Sequence, residues 1–169
     1  MIIRRQVTIE MLRSMIDYNP DTGAMRWKER QGRARGRARA GQPVGYFKRP
    51  YRTINIYGNK LYVHRVAFAL ANNRWPYPIC DHINGNPDDN RACNLREATP
   101  LQSAHNISGH KKSFSGVKGV AWHPKNRRWT TRVMHKGRSY AFGCYATIKE
   151  AAQAVRAGRE QLHGEFARH

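Results

Sequence analysis

The sequence predicts an α+β chain of two small modules, and three observations carry that prediction. Apolar residues recur at helical spacing in several segments, short alternating runs bounded by turn residues recur between them, and an aperiodic basic stretch, KKSFSG over 111–116, interrupts both patterns. The expected modules are therefore 1–110 and 117–169, with 111–116 as linker. A chain of 169 residues, 40% hydrophobic, can bury a core of this size but is too short for a large catalytic barrel.

Each element follows from its own pattern. Ile9, Leu12, Met15 and Ile16 lie at helical spacing and stop at Asn19-Pro20-Asp21-Thr22-Gly23, so a short helix, a turn and a strand are expected over 8–27. Between Arg26 and Arg52 there are ten Lys/Arg against Glu29 alone, and Arg33 to Arg39 has no apolar periodicity; this predicts a flexible basic loop. Ile54 and Ile56, then Leu61 and Val63, flank Gly58-Asn59 as a β-hairpin, whose second strand runs into a helix that ends before Pro76. Beyond the linker, runs at 119–123, 128–134 and 138–142 predict an antiparallel meander. Thr147 and Glu150 form a capping box for a final helix of about four turns. Ala151, Ala154, Val155, Gly158 and Leu162 lie on one stripe of it, small enough for close approach to the sheet.

Charge narrows the function. Thirty-one Lys+Arg against eleven Asp+Glu leave +20, which points to a polyanion, nucleic acid first. The longest apolar run, 66–71, is far short of a membrane span, and no apolar stretch follows the first five residues, so a soluble cytoplasmic protein is expected. Cys80, Cys93 and Cys144 form no CxxC pair and suit reduced thiols.

The densest group of chemistry-bearing residues is Asp81 to Arg96, DHINGNPDDNRACNLR. A short apolar lead-in, Pro78-Ile79-Cys80, precedes it, and Thr99-Pro100 after it reads as a helix start with Pro in the first turn. An imidazole with an ordinary pKa of about 6.5 can act as a general base near neutral pH, which makes His82 the candidate for proton transfer in this group. Asp81 and His82 are adjacent on a strand and project to opposite faces, so both can serve one centre only at a strand end or distortion. Asp88 and Asp89 read as turn formers, and His64 as a brace of the hairpin.

DHINGNPDDNRACNLREAT, preceded by YVHRVAF and RWPYPI, resembles the HNH homing-type endonucleases and their ββα-metal motif, over residues 8–106. The resemblance implies Asp81 as a metal ligand, His82 as the general base, and Asn94 as the catalytic-site residue that orients the loop bearing His82. One divalent ion, Mg²⁺ or Mn²⁺, is implied as cofactor. A second ligand is expected on the following helix, where this chain has Ser103 in place of the family's Asn; Asn106, one turn on, is the alternative donor.

Residues 115–166 resemble the Apetala-two (ethylene-response-factor) DNA-binding domain through Lys118-Gly-Val120, Trp129, Phe142-Gly143 and the helix start at Thr147. This implies a three-stranded sheet packed on one helix and laid in the major groove of double-stranded DNA. Lys118, Trp122, His123, Arg128, Arg132 and Arg138 would line the DNA side; Arg33, Arg35, Arg37 and Arg39 are expected as a phosphate-gripping arm. Independently, residues 111–169 hold thirteen Lys/Arg and three acids, half of the net charge.

The leading expectation is thus a metal-dependent, monomeric DNA endonuclease of phage or mobile-element type, with no small-molecule cofactor. A catalytically weak or inactive DNA-binding protein derived from such a nuclease is the alternative, with Ser103 marking decay. A basic RNA-binding protein accounts for the charge but not for the spacing of Asp81, His82 and Asn94.

Overall fold

Helix α1 (Ile9–Met15) starts where Thr8 turns its hydroxyl back to accept from the Met11 N–H, and it buries Leu12 and Met15. The computed structural model describes residues 6–28, 39–48, 50–107 and 114–169; Arg33, Arg35 and Arg37 lie outside them. These residues divide into two units, one ending at Ala98 and one beginning at Thr99.

In the first unit the chain leaves α1 directly into strand β1 (Ile16–Tyr18), which pairs antiparallel with β2 (Met25–Trp27). The expected turn at 19–23 is present, closed by Gly23 N–H donating to the Asn19 carbonyl at 2.9 Å. The sequence pattern missed β1 because Ile16 serves both the helical stripe and the strand. Part of the expected basic loop is ordered instead. Trp27 N–H donates to Gln42 O at 3.0 Å and Val44 N–H to Met25 O at 3.0 Å, with Val44 buried, so residues 41–44 run along β2. Backbone pairing of this kind leaves no mark in apolar periodicity.

Strand β3 (Tyr46–Lys48) precedes the expected hairpin of β4 (Tyr51–Ile56) and β5 (Asn59–Tyr62), giving sheet order β3-β4-β5. Tyr57 and Gly58 both have positive φ, as a two-residue hairpin turn requires. Helix α2 (Val63–Asn72) follows without a loop; Val63, Val66, Ala67 and Leu70 enter a core shared with Leu12, Trp27, Ile54 and Ile56. Strand β6 (Ile79–His82) then pairs with β7 (Leu95–Ala98), and a 3₁₀ turn, Ala92–Asn94, leads into β7.

The second unit opens with α3 (Pro100–His105). Thr99 and Gln102 form a reciprocal capping box there, and Pro stands in the first turn. The expected meander is β8 (Val120–His123), β9 (Arg128–His135) and β10 (Arg138–Tyr145), in order β10-β9-β8, packed on α4 (Ile148–His163). β10 is three residues longer than its alternation suggested, because a bulge between Ala141 and Cys144 shifts the register. Val120, Val133, Ala151 and Val155 form the small core. Gly158 fulfils the expected close approach: a Cβ there would fall 2.4–2.5 Å from the Phe142 ring. Arg159, on the same side of α4, is 2% exposed, and its guanidinium donates to Arg168 O at 3.0 Å and Lys118 O at 2.5 Å. Among the described residues no helix is long and apolar enough to cross a membrane.

Candidate active site

Asp81 and His82 close β6, paired across the ladder with Arg96 and Leu95. The strand ends at His82, the kind of strand end that two adjacent residues with opposite directions need if both are to serve one centre. Both are buried, at 8% and 5% exposure. Asp81 Oδ2 accepts from Arg96 Nε at 3.3 Å.

Rings and an amide set the environment of His82. Tyr51 stacks parallel to it at a centroid separation of 6.2 Å, and His64 lies 5.0 Å away at 58°. His64 also touches Tyr51 and Tyr62, so it braces the hairpin against β6 through ring contacts. Burial, reinforced by His82 and Arg65, pushes His64 down to about 3. Burial also draws His82 below the usual histidine range, opposed by the hydrogen bond with Asn90 and by Asp81, Asp89 and Asp88. His82 Nε2 lies 3.3 Å from Asn90 Oδ1, an atom that can only accept, so Nε2 carries the ring proton and the lone pair is on Nδ1.

The loop after His82 is fastened from inside. Asn94, 6% exposed, accepts at Oδ1 from Asn84 N–H at 3.0 Å, while its amide donates to Asn84 Oδ1 at 3.0 Å and Asp89 O at 2.8 Å. Asp89 takes two hydrogen bonds from the Arg91 guanidinium, at 2.8 and 2.6 Å, one from the Arg91 N–H at 3.4 Å and one from Asn84 at 2.7 Å; these hold its carboxyl down to about 2. Asp88 pairs with Arg52 at 3.0 Å. Both acids therefore shape the turn. The loop is backed by the β1–β2 hairpin: Tyr18 Oη donates to Asn90 O at 2.9 Å, Ala92 N–H to Pro20 O at 2.8 Å, and a Cβ on Gly23 would lie 2.6 Å from Arg91 N. Burial raises the Tyr18 phenol to about 12 and keeps it a donor.

The structure thus brings together Asp81, His82 and Asn94. Ser103 and Asn106 belong to the second unit, the first on α3 and the second at its C-cap, where Arg168 donates to the Asn106 carbonyl at 3.4 Å. Sequence reasoning missed Asn90, Tyr51 and Arg96. Arg96 was accessible from pairing the two short strands in register; Asn90 is one of four Asn in its loop with nothing local to single it out.

On the C-terminal sheet, cross-strand partners share a face. His123 pairs with Arg128, and Arg128 and Arg132 alternate with buried Thr131 and Val133, so His123, Arg128 and Arg132 are exposed on the side away from α4. Two expectations are corrected by the register. Trp122 pairs with Trp129 and Arg138 with His135, which sets both on the α4 side. Lys118 is engaged elsewhere: its ammonium donates to His105 O at 3.0 Å and to Ile107 O, and burial lowers it to about 8. Arg39, the one described member of the expected arm, precedes the segment that lies along β2, and its N–H donates to Gln42 Oε1 at 3.0 Å.

Comparison with known proteins agrees with this geometry. A profile of the HNH endonuclease family matches residues 61–105. The chain is 36% identical over 88 residues to the protein named Protein 3.8 of Escherichia phage T7, covering 52% of this chain and 72% of that protein. It is 34% identical over 110 residues to a protein named as an uncharacterized HNH endonuclease of Acanthamoeba polyphaga mimivirus. That overlap covers 64% of this chain and 56% of the relative, so the chain spans just over half of the viral protein's length.

Proposed function

The chain belongs to the HNH endonuclease family, and from that premise we propose that it hydrolyses phosphodiester bonds of double-stranded DNA with His82 as general base and one divalent ion as cofactor. The observation that supports this reading best is the state of His82: buried, held neutral, its Nε2 proton fixed on Asn90, and next in sequence to a buried carboxylate. A neutral imidazole oriented in this way takes a proton from water through Nδ1. Asn90 and Asn94 hold ring and loop, so little reorganisation accompanies the transfer.

The donor set fits a hard cation. Asp81 supplies a carboxylate oxygen beside His82, and the neighbouring Cys80 offers no thiolate, since burial raises its thiol to about 12. When bound, an ion of the Mg²⁺ class would stabilise negative charge on the departing 3′-oxygen. For Ser103 and Asn106 as the second ligand the reading rests on the sequence alone. Ser103→Asn should lower the Mg²⁺ concentration for half-maximal nicking if Ser103 is that ligand; if Asn106 is, Asn106→Ala should be the more damaging change.

We further propose that residues 117–169 target the nuclease to DNA, as the Apetala-two-like arrangement implies, with Arg128, Arg132 and His123 toward the phosphates or bases. Plasmid nicking by wild type and His82→Ala, with Mg²⁺ and with EDTA, tests the catalytic reading. Wild type should nick only with metal, and His82→Ala should lose nicking while its gel-shift affinity stays within about twofold. Equal loss of binding and cleavage in His82→Ala, or no nicking by wild type in Mg²⁺ or Mn²⁺, overturns it.

A further inference from the structure

A second group of histidines lies in the C-terminal unit, apart from any residue used above for catalysis. His105 is the last residue of α3, His135 the last of β9 and His163 the last of α4. One ring nitrogen from each lies within 4.8 Å of the others. The His105 and His163 rings are parallel at 3.6 Å, and His135 lies 5.3 and 5.6 Å from them.

We propose that His105, His135 and His163 are the protein ligands of a transition-metal site, of the Zn²⁺ class, that clips α3, β9 and α4 together.

Unsatisfied nitrogens support this. His105 Nε2, His135 Nδ1 and His163 Nδ1 are buried with no hydrogen-bond partner among the described residues. A buried polar atom left unpaired is costly, and one ion held by these three nitrogens would satisfy all of them. The tautomer of His163 is already set: its Nε2 donates to Met134 O at 3.0 Å, which leaves the lone pair on Nδ1 and fixes the ring as an outer-shell carbonyl does for metal-bound imidazoles. An entry path exists, since the three rings share the lining of an open pocket of about 350 Å³ with Leu101 and Met134.

The donor set selects the metal. Three imidazoles and an open fourth position suit Zn²⁺, Co²⁺ or Ni²⁺ and not Mg²⁺. Lys118 and Arg159 also line the pocket and oppose any cation, which further disfavours weakly held ions; the carbonyl end of the α4 dipole acts the other way. Nitrogens around a tetrahedral Zn²⁺ lie roughly 3.3 Å apart, so the parallel His105 and His163 rings would turn toward one ion on loading.

The test uses the full chain, stripped with chelator, and Zn²⁺ followed by calorimetry in wild type, Asp81→Ala, His135→Gln and His163→Gln. Wild type and Asp81→Ala should each bind one Zn²⁺ with a rise in Tm, and either Gln variant should bind it about 100-fold or more weakly with unchanged far-ultraviolet circular dichroism. Zn K-edge absorption on loaded wild type should show imidazole scattering, a readout that stands even where a variant fails to fold. No Zn²⁺ uptake by wild type, uptake without imidazole scattering, or undiminished affinity in both folded Gln variants overturns the site. None of these results depends on nicking, so the site and the catalytic reading fail separately.

Discussion

At the scale of single residues, the proposed general base is steadied by an amide. Asn90 fixes the protonated nitrogen of His82, and the same hydrogen bond favours the charged ring, against burial. Asn90→Ala should therefore reduce kcat about 10- to 100-fold and move the acid limb of the pH–rate profile to lower pH. A residue that only filled space would leave that limb in place. His64 gives a stability signature. Its folded pKa of about 3 lies below the roughly 6.5 of an unfolded histidine, so the unfolded chain binds the extra proton; this contribution is complete above about pH 6.5 and is lost progressively as pH falls toward 3. His64→Phe, which keeps a ring against Tyr51 and His82, should flatten the fall of the urea midpoint between pH 6.5 and 4, with one such proton changing stability by about 1.4 kcal/mol per pH unit.

At the scale of elements, packing is set by what is missing from side chains as much as by what is there. Gly158 lets Phe142 of β10 lie on α4, and Gly158→Ala should lower stability by about 1–3 kcal/mol through overpacking, visible as a lower Tm, although alanine is the better helix former. This contact was legible in the sequence, because a small residue on an apolar stripe has few other purposes. The capping box at Thr147 was legible because it is a local reciprocal bond between residues three apart, whereas at Thr99 the sequence reads only as a helix start with its proline. Strands β1 and β3 were not. Each has three residues, and β3 exposes about half of Tyr46 and Phe47, so neither makes the alternation by which a longer strand is recognised. At the candidate site, Asp81, His82 and Asn94 could be singled out by the resemblance of their motif to the HNH pattern. Asn90 and the histidine cluster could not, since residues 105, 135 and 163 meet only after three separate elements have packed.

For the whole molecule, the excess of +20 implies binding that depends on salt more than on any one contact. DNA affinity should fall by roughly 10³- to 10⁵-fold between 50 and 200 mM salt if six to ten phosphates are engaged, and Arg128→Ala with Arg132→Ala should reduce the slope of log K against log salt by about 2. Fluorescence anisotropy across a salt series measures both. An unchanged slope in the double variant would assign the phosphate contacts to other parts of the chain.

The hydrogen bond from Tyr18 to the Asn90 carbonyl joins residues 72 apart. It makes the timing of activity a matter of chain closure. The loop that steadies the base rests on a hairpin near the start of the chain, so the site is complete only after a segment of that length has closed, one of the slower kinds of contact to form. A partly unfolded chain whose hairpin has come away can thus hold β6 and β7 with their Asp and His and still leave His82 unsupported. On the proposed reading of His82 as general base, cleavage would wait until folding of the N-terminal unit is finished.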